Sequence, residues 1–455
     1  MNVSKLLRRY VKPSFGCTDP VAVGLATSIA YNAIRGKVPC WLGDVTEYRK
    51  RIPQGSIKEI IVSVDRNIYK NSLACGIPGT GGLYGIYVAV ALGVFCNPDL
   101  ELELFRDTSK EKLELAKKLL CEKKVKIELR SGKEADIDIL AKVTTNTGYG
   151  LARIQHYHTN VTYIEANNRV LYRKEKGVTL YVDKDLEELA KMKIEEIVSI
   201  IEKFSSEDRN FLLEGVEMNV KASEAGMKEK LGAGIGYTLY RMMREGKLTD
   251  NAVTLAKIRT AAAVDARMSG CSISVMSSSG SGNQGLIATL PIFAVAEKFG
   301  KDKKKLSEAV GLSHLLTAYC TYYSGILTAF CGCGGKAGIG AAAGVAYYLT
   351  QDIKTVGDAI NNMAANITGM ICDGAKVGCA IKLSTAAGAI VESALLAVNG
   401  VKIPPTNGII GETPEETIKN VGEISKGMIE TDETILKIMQ EKYQRLSLRN
   451  FFLGI

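Results

Sequence analysis

A change of pattern near residue 200 is the feature that most constrains the fold of this chain. Before it, short apolar runs typical of strands lie at 58–65, 124–130 and 136–144 between Gly-rich turns, and a further strand pair surrounds a hairpin-like Asn167-Asn168. After it, Ala, Gly, Leu and Met recur at helical spacing with almost no strand signal. The pattern predicts an α+β protein.

The same change divides the chain into two predicted domains. With 455 residues, the chain is long enough for two hydrophobic cores. We predict a mixed α/β domain at 1–200 and a large all-helical catalytic domain at 201–455, with a charged helix over 185–204 leading from one to the other. The N-terminal helices around Cys17 are free in this scheme to pack on the second domain.

Charge and cysteine content indicate the class of protein and its compartment. The net charge of +9 comes from Lys and Arg scattered among acidic residues, as in KDKKKLSEAV, which is typical of solvated helix faces and does not predict nucleic-acid binding. The start, MNVSKLLRRYVKPSFGC, lacks the apolar run of a signal peptide, so we expect a cytoplasmic protein. Its 11 cysteines should then be reduced thiols, and clustered ones indicate metal binding or catalysis.

The apolar stretch over 315–343 raises the question of a membrane span, because Lys336 is its only charged residue. Two spans would need about 20 apolar residues each. This stretch instead contains Ser, Thr, Tyr and many small residues. It therefore predicts a buried helix packed closely through Gly and Ala, and no membrane partner.

Four cysteines in two Gly-rich turns give the strongest chemical signal. Cys331 and Cys333 lie in FCGCGGKAGIGA, and Cys372 and Cys379 lie near the two ends of ICDGAKVGC. Iron-sulfur clusters and structural zinc both use four thiolates. The six residues between the second pair do not match a zinc ribbon, which has about two to four. Buried cysteines acting as small apolar side chains are the alternative interpretation.

The segment SSSGSGNQG at 277–285 precedes an apolar helix, and its hydroxyls and free N–H groups are suited to bind an anion such as a substrate carboxylate. A similar loop occurs in enzymes that use pyridoxal phosphate, and a plain linker is also compatible with it. The candidate substrate contacts are Ser277, Ser278, Ser279, Ser281 and Asn283.

A further motif places Cys17 directly before a predicted helix start. Thr18 or Asp19 is suited to cap that helix, with Pro20 at its first position. The helix dipole, with Lys12 nearby, would lower the pKa of the Cys17 thiol and make it a usable base or nucleophile. A structural thiol is the competing interpretation.

Histidines are scarce, and only His156, His158 and His314 occur. A single histidine is more often held by a hydrogen bond in the core than used in catalysis. His158 stands beside the polar Thr159 and Asn160, and it is our candidate for a further substrate contact.

Taken together, GCTDP, the SHL motif around His314, CGCGG and GMICDGAKVGCAIK resemble the L-cysteine desulfidases, in the same order and over nearly the whole chain. The related bacterial iron-sulfur L-serine dehydratases are similar in SSSGSGNQGLIATLP and GCGGKAGIGA. The resemblance implies an oxygen-sensitive lyase that converts L-cysteine to sulfide, pyruvate and ammonia.

The resemblance also implies a 4Fe-4S cluster held by three cysteines, with one iron left open. It assigns Cys333, Cys372 and Cys379 as ligands, with Cys331 as the alternative to Cys333. It assigns Cys17 as the proton acceptor. The expected partner is a small amino acid, and association of identical copies is left open.

Two departures and three alternatives accompany the resemblance. The segment after SHL, TAYCTYYSGILTAF, lacks the lysine expected there, and the spacer GAKVG is shorter than in the serine dehydratases, which favours the desulfidases. The alternatives are serine dehydration by the same apparatus, a pyridoxal phosphate lyase, and a non-enzymatic membrane or cluster-storage protein.

Overall fold

The structure, a computed structural model, describes residues 2–43, 55–130, 137–174 and 183–447, with side chains through 442. The predicted α+β class is confirmed, because one mixed sheet with its helices lies in the N-terminal part and helices dominate the rest. Two separate hydrophobic cores underlie these two parts.

The sheet is built from the apolar runs that the sequence indicates. The described strands are β1 (Pro13–Phe15), β2 (Ile57–Val64), β3 (Val125–Leu129), β4 (Asp138–Thr145), β5 (Tyr149–Gln155), β6 (Val161–Ala166), β7 (Arg169–Arg173) and β8 (Ser274–Met276). Six of them form one sheet in the order β3-β2-β4-β5-β6-β7, in which only the β2–β3 pair is parallel. The predicted runs at 58–65 and 124–130 are β2 and β3, and the run at 136–144 is β4, apart from residue 136, which lies outside the described residues.

The predicted hairpin joins β6 to β7. Asn167 and Asn168 have φ angles of 50° and 64°, the left-handed conformation that a two-residue turn between antiparallel strands requires and that asparagine tolerates.

The N-terminal part also contains α-helices, some of which pack on the sheet. The N-terminal helices are α1 (Val3–Tyr10), α2 (Thr18–Ala33), α3 (Arg66–Ser72), α4 (Ile86–Gly93) and α5 (Lys110–Cys121), with 3₁₀ helices at Cys40–Leu42 and Pro98–Asp107. The apolar helix α2 lies directly on the sheet. A Cβ atom on Gly150 of β5 would come within 1.9 Å of the Ala30 carbonyl oxygen, so this close contact depends on glycine.

The second part is a bundle of helices around α13. Its helices are α6 (Lys184–Lys191), α7 (Ile194–Glu202), α8 (Ser206–Lys228), α9 (Ile235–Arg244), α10 (Ala252–Met268), α11 (Gly282–Phe299), α12 (Lys303–Ser324), α13 (Lys336–Thr350), α14 (Ile353–Ile367), α15 (Cys379–Val398), α16 (Pro414–Gly427) and α17 (Ile429–Ser447). The single charged helix expected over 185–204 is in fact two helices, α6 and α7, because the backbone at Met192 and Lys193 is extended. Leu186 and Ile197 of these helices contribute to the helical core.

Helix α13 is buried against α11, α12, α14 and α15. Cβ atoms on Gly340 and Gly344 would meet the carbonyl oxygens of Ser313 and Ala309 on α12 at 2.5 and 2.7 Å, so glycine permits the close helix approach. This is the buried arrangement predicted for the apolar stretch. Among the described helices, one, α15, has the length and apolar character of a membrane span, and 61% of its most apolar window is buried in the protein.

A short strand pair connects the two parts. β1 pairs with β8 in antiparallel register, with Pro13 opposite Met276 and Phe15 opposite Ser274. The C-terminal part is therefore not all-helical as predicted, since β8 has only three residues and is too short to give a periodic signal. Helix α1 and Cys17 belong to the hydrophobic core of the helical part. The predicted domain division leaves the N-terminal helices free to pack there.

Candidate active site

One cavity lies between the two parts and collects most of the predicted site residues. It is lined by the N-terminal thiol, part of the serine loop and all four clustered cysteines: Cys17, Ser279, Ser281, Asn283, Cys331, Cys333, Cys372 and Cys379. Four separate segments of the chain thus meet at one place.

Backbone hydrogen bonds hold the two cysteine turns side by side. The Cys331 N–H donates to the Met370 carbonyl at 2.6 Å, and the Cys372 N–H donates to the Ala329 carbonyl at 2.7 Å. Cys379 is the first residue of α15, and its thiol donates to the Gly374 carbonyl at 3.7 Å. The two turns are therefore held together at Cys331 and Cys372 by main-chain contacts that do not depend on the cysteine side chains.

The four thiols differ in their proton affinity. A hydrogen bond from the Cys333 thiol, assisted by the Gly334 N–H at 3.5 Å from Sγ, lowers the pKa of Cys331 to about 6. Burial raises the pKa of Cys379 to about 12 and also raises that of Cys372. Cys331 therefore loses its proton readily. Cys372 and Cys379 need a strong electrophile such as a metal ion to lose theirs.

The donor set fits an iron-sulfur cluster better than a single ion. Among the described residues, no three His, Cys, Asp or Glu side chains converge closely enough to hold one metal ion. Four thiols around one cavity are instead the ligand type that clusters use, and a cluster accepts ligands spread around its edges. Cys372 and Cys379, together with either Cys333 or Cys331, would hold such a group.

Cys17 is the N-cap residue of α2, which begins at Thr18. The predicted cap at Thr18 or Asp19, with Pro20 at the first helical position, is therefore wrong by one to two residues. A hydrogen bond from the Cys75 thiol and the charge of Arg267 lower the pKa of Cys17 against the opposing effect of burial. The favourable charge thus comes from Arg267 and not from Lys12, as the sequence suggested.

His158 lies next to the cysteine cavity but does not line it. Its Nε2 is 3.0 Å from Asp19 Oδ1, and Asp19 Oδ2 is 4.0 Å from the Cys17 sulfur. His158 itself lines an adjoining cavity together with Lys12 and Ser277. The structure therefore gives His158 a contact to the carboxylate beside Cys17, where the sequence had suggested a substrate contact.

The serine loop divides into anchoring and cavity-lining residues. The Ser277 N–H and hydroxyl both donate to the Lys12 carbonyl, and the Ser278 hydroxyl is 2.9 Å from His314 Nδ1. Neither serine lines the cysteine cavity, although Ser277 lines the adjoining one, and their role as substrate contacts stays a prediction. Ser281 lines the cysteine cavity, with its hydroxyl 4.0 Å from the Cys333 sulfur. Ser279 also lines this cavity, and its backbone has the strained left-handed conformation at φ 46°.

Several lining residues were not predicted. The cavity also contains Asp19, Asn71, Arg267, Gln284 and Lys382. The available signal for Arg267 was a charged residue within the Ala-rich TAAAVDARM of α10, since a charge inside an apolar helix needs a reason. Nothing in the local pattern distinguished the others.

The buried His314 gives a prediction for stability. Burial lowers its pKa to about 4 from 6.5, so the unfolded chain binds the proton more tightly than the folded protein. We expect stability to be full above pH 6.5 and to fall by about 3 kcal/mol as pH drops to 4. Urea unfolding across this range should show a smaller loss for His314→Gln. Half-buried His156 provides the control through His156→Asn, and an equal loss in both variants would contradict the assignment.

A helical core that carries cysteine turns and a serine-rich helix start defines the class of the protein. The chain belongs to the serine dehydratase alpha chain family, which matches it over residues 102–437. The predicted relationship to the serine dehydratases is thereby confirmed.

Full-length relatives extend this similarity to the N-terminal part. The chain is 40% identical over 440 residues to a UPF0597 protein of Alkaliphilus oremlandii, covering 96% of this chain and 97% of that protein. It is 38% identical over 454 residues to the UPF0597 protein of Desulfotalea psychrophila, covering 98% and 99%. It is 39% identical over 444 residues to that of Caldanaerobacter subterraneus, covering 97% and 98%.

Proposed function

We propose that this protein is an L-cysteine desulfidase, a 4Fe-4S-dependent lyase that converts L-cysteine to sulfide, pyruvate and ammonia. The observation that carries the proposal is the shared cavity, in which a thiol of lowered pKa, Cys17, faces four further cysteines and the start of α11. A cytoplasmic location is part of the proposal, because reduced thiols are needed to bind iron.

The cluster would be held by Cys333, Cys372 and Cys379, with Cys331 as the alternative to Cys333. When bound, a cluster with an open iron supplies a Lewis acid for the departing sulfur. Soft thiolate suits iron better than a hydroxyl does, which favours cysteine over serine as substrate.

The chain's own residues supply the acid–base chemistry. The Cys17 thiolate would take the proton from Cα, while the Cα–H electron pair forms the new double bond and the C–S electron pair leaves with the sulfur. Asp19, fixed by His158, accepts the Cys17 proton at its carboxylate. The 2-aminoacrylate that results reacts with one water molecule to give pyruvate and ammonia.

Serine dehydration by the same apparatus is the second candidate, and the family match favours it. The test is to purify the protein without oxygen and to measure sulfide and pyruvate from L-cysteine and L-serine side by side. Sulfide release in preference to serine turnover supports the desulfidase. Pyruvate from serine alone would identify a serine dehydratase, and turnover of neither would contradict both.

A pyridoxal phosphate lyase fits less well. Such an enzyme needs a Schiff-base lysine in an alternating β/α domain before the serine loop, whereas α8, α9 and α10 precede it here. Lys336, buried nearby, donates to the carbonyls of Gly325 and Ile326.

The choice between Cys331 and Cys333 has its own test. Cys331 is buried and its sulfur already accepts a hydrogen bond within the turn, whereas Cys333 is half-buried and lies near Ser281. We expect Cys333→Ser to lose most of its iron and Cys331→Ser to keep it, measured as iron per protein after anaerobic purification. The reverse result would assign Cys331 as the ligand.

A further inference from the structure

Arg267, near the end of α10, is a buried charge without a counterion. Its side chain lines the cysteine cavity and the residue is 2% exposed. Within the described part of the chain, no carboxylate lies within ion-pair distance of its guanidinium. Its Nη1 donates to Asn283 Oδ1 at 3.0 Å, its Nη2 donates to the Gly16 carbonyl at 2.9 Å, and its Nε has no hydrogen-bond partner. Burying a charge costs several kcal/mol unless it is paired.

A second buried arginine on the same helix, Arg259, has a carboxylate counterion. Arg259, two turns earlier on α10 and 9% exposed, donates from Nη2 to Glu297 Oε1 at 2.8 Å. Arg259 thus has its counterion within the chain. The contrast indicates that Arg267 lacks the carboxylate counterion that Arg259 has, which leaves its charge available to an anion from outside the chain.

The groups around Arg267 are also arranged for an anion. The start of α11 leaves N–H groups without intrahelical acceptors, and Ser281 at its N-cap makes no capping hydrogen bond. A Cβ atom on Gly282 would lie 2.3 Å from Arg267 Nε, so the guanidinium packs directly against the first residue of this helix. Ser279 Oγ and Gln284 Oε1 are buried in the same wall without a partner, and the latter suits the ammonium group of an amino acid.

The negative groups that face this cavity are occupied elsewhere. Asp19 is in contact with His158, and Asp373 pairs with Lys376 and Lys382. The Cys17 and Cys331 thiolates remain as competing internal anions. Substrate binding and turnover separate the role of Arg267 toward Cys17 from its role toward a ligand.

We propose that Arg267, with the N-terminus of α11, binds the α-carboxylate of the substrate, so that the cavity selects free small α-amino acids over their amides and esters. This inference rests on the proposed function for the identity of the substrate. The binding site itself is defined by the unpaired arginine and the helix start.

The first experiment measures binding without turnover. L-Alanine has the backbone of cysteine but no leaving group, and L-alaninamide lacks its carboxylate charge. We expect L-alanine to bind the purified protein, by calorimetry, at least 10-fold more tightly than L-alaninamide. Arg267→Gln should weaken alanine binding by about 10- to 100-fold and remove this preference, as expected for a lost charge-assisted hydrogen bond. Arg259→Gln is the matched control and should keep the preference.

A second pair of variants tests whether a loss of binding comes from misfolding and not from the lost charge. Arg267→Lys and Arg259→Lys keep the charge, and we expect the former to retain part of the preference for alanine because lysine lacks the planar fork of arginine. Alanine binding unchanged in both Arg267 variants would overturn the proposal.

Turnover then separates the two roles of Arg267. If it binds the carboxylate, Arg267→Gln lowers kcat/KM for L-cysteine far more than for L-cysteinamide. An equal loss on both substrates, with alanine binding intact, would mean that Arg267 serves Cys17 instead and would overturn the proposal. If the wild-type protein releases no sulfide or pyruvate yet binds alanine in an Arg267-dependent way, the carboxylate site stands and the proposed function fails.

Discussion

Replacing Cys372 with alanine is expected to give a folded protein that purifies without its iron and releases no detectable sulfide from L-cysteine. The backbone of Cys372 is held by its own N–H bond to Ala329 and by the neighbouring Cys331–Met370 bond. The turn should therefore survive the loss of the thiol, while the cluster loses one of its protein ligands. Iron content, visible absorption and sulfide release of anaerobically purified protein measure the effect.

The matched control for this variant is Cys271→Ala. Cys271 is half-buried like Cys372 and also lies in the C-terminal part, but it does not line the cavity. It should keep wild-type iron and activity. A Cys372→Ala protein with a full complement of iron would contradict the ligand assignment, and equal loss in both variants would point to general oxidative damage.

Replacing Cys17 with alanine is expected to slow the turnover of L-cysteine by about 10²- to 10⁴-fold, the usual contribution of a positioned general base. The iron content should stay unchanged, because Cys17 is assigned to the proton and not to the cluster. Cys17→Ser should be similarly slow, since a hydroxyl holds its proton much more tightly than this thiol. Turnover and iron are measured on the same preparation.

Cys96 provides the control for Cys17. Both thiols are buried in the N-terminal part, but Cys96 lies outside the cavity and burial raises its pKa to about 12. Cys96→Ala should turn over cysteine at the wild-type rate. Full turnover by Cys17→Ala with an intact cluster would refute the base assignment, and loss of iron in that variant would indicate a ligand instead.

Features encoded locally were predictable from the sequence. The strand runs that became β2, β3 and β4, the Asn167-Asn168 hairpin and the buried helix α13 all carry their signal within about ten residues of chain. The cysteine turns belong to the same group, because each pair stands in a short Gly-rich segment.

Features that depend on distant contacts were not predictable. The sequence does not show that His158 would contact Asp19, or that a guanidinium from α10 would lie against the first residue of α11. The positive charge near Cys17 was assigned to Lys12 because Lys12 is close in sequence, whereas the fold brings Arg267 there from across the chain. Ser277 and Ser278 looked like the rest of their loop, and only their hydrogen bonds to Lys12 and His314 separate them from Ser279 and Ser281.

The pairing of β1 with β8 determines when during synthesis the site can form. The Lys12 carbonyl that anchors the serine loop lies 265 residues before Ser277, and the last cysteine of the cavity, Cys379, follows about a hundred residues after Ser277. A nascent chain therefore carries Cys17 without Arg267, the serine loop and the clustered cysteines until most of the protein has left the ribosome, since domains generally form from the N-terminus onward. If the protein binds the proposed cluster, iron can be loaded only onto a nearly complete chain. A shortened product ending before Cys372 would then lack two of the proposed ligands and part of the cavity wall.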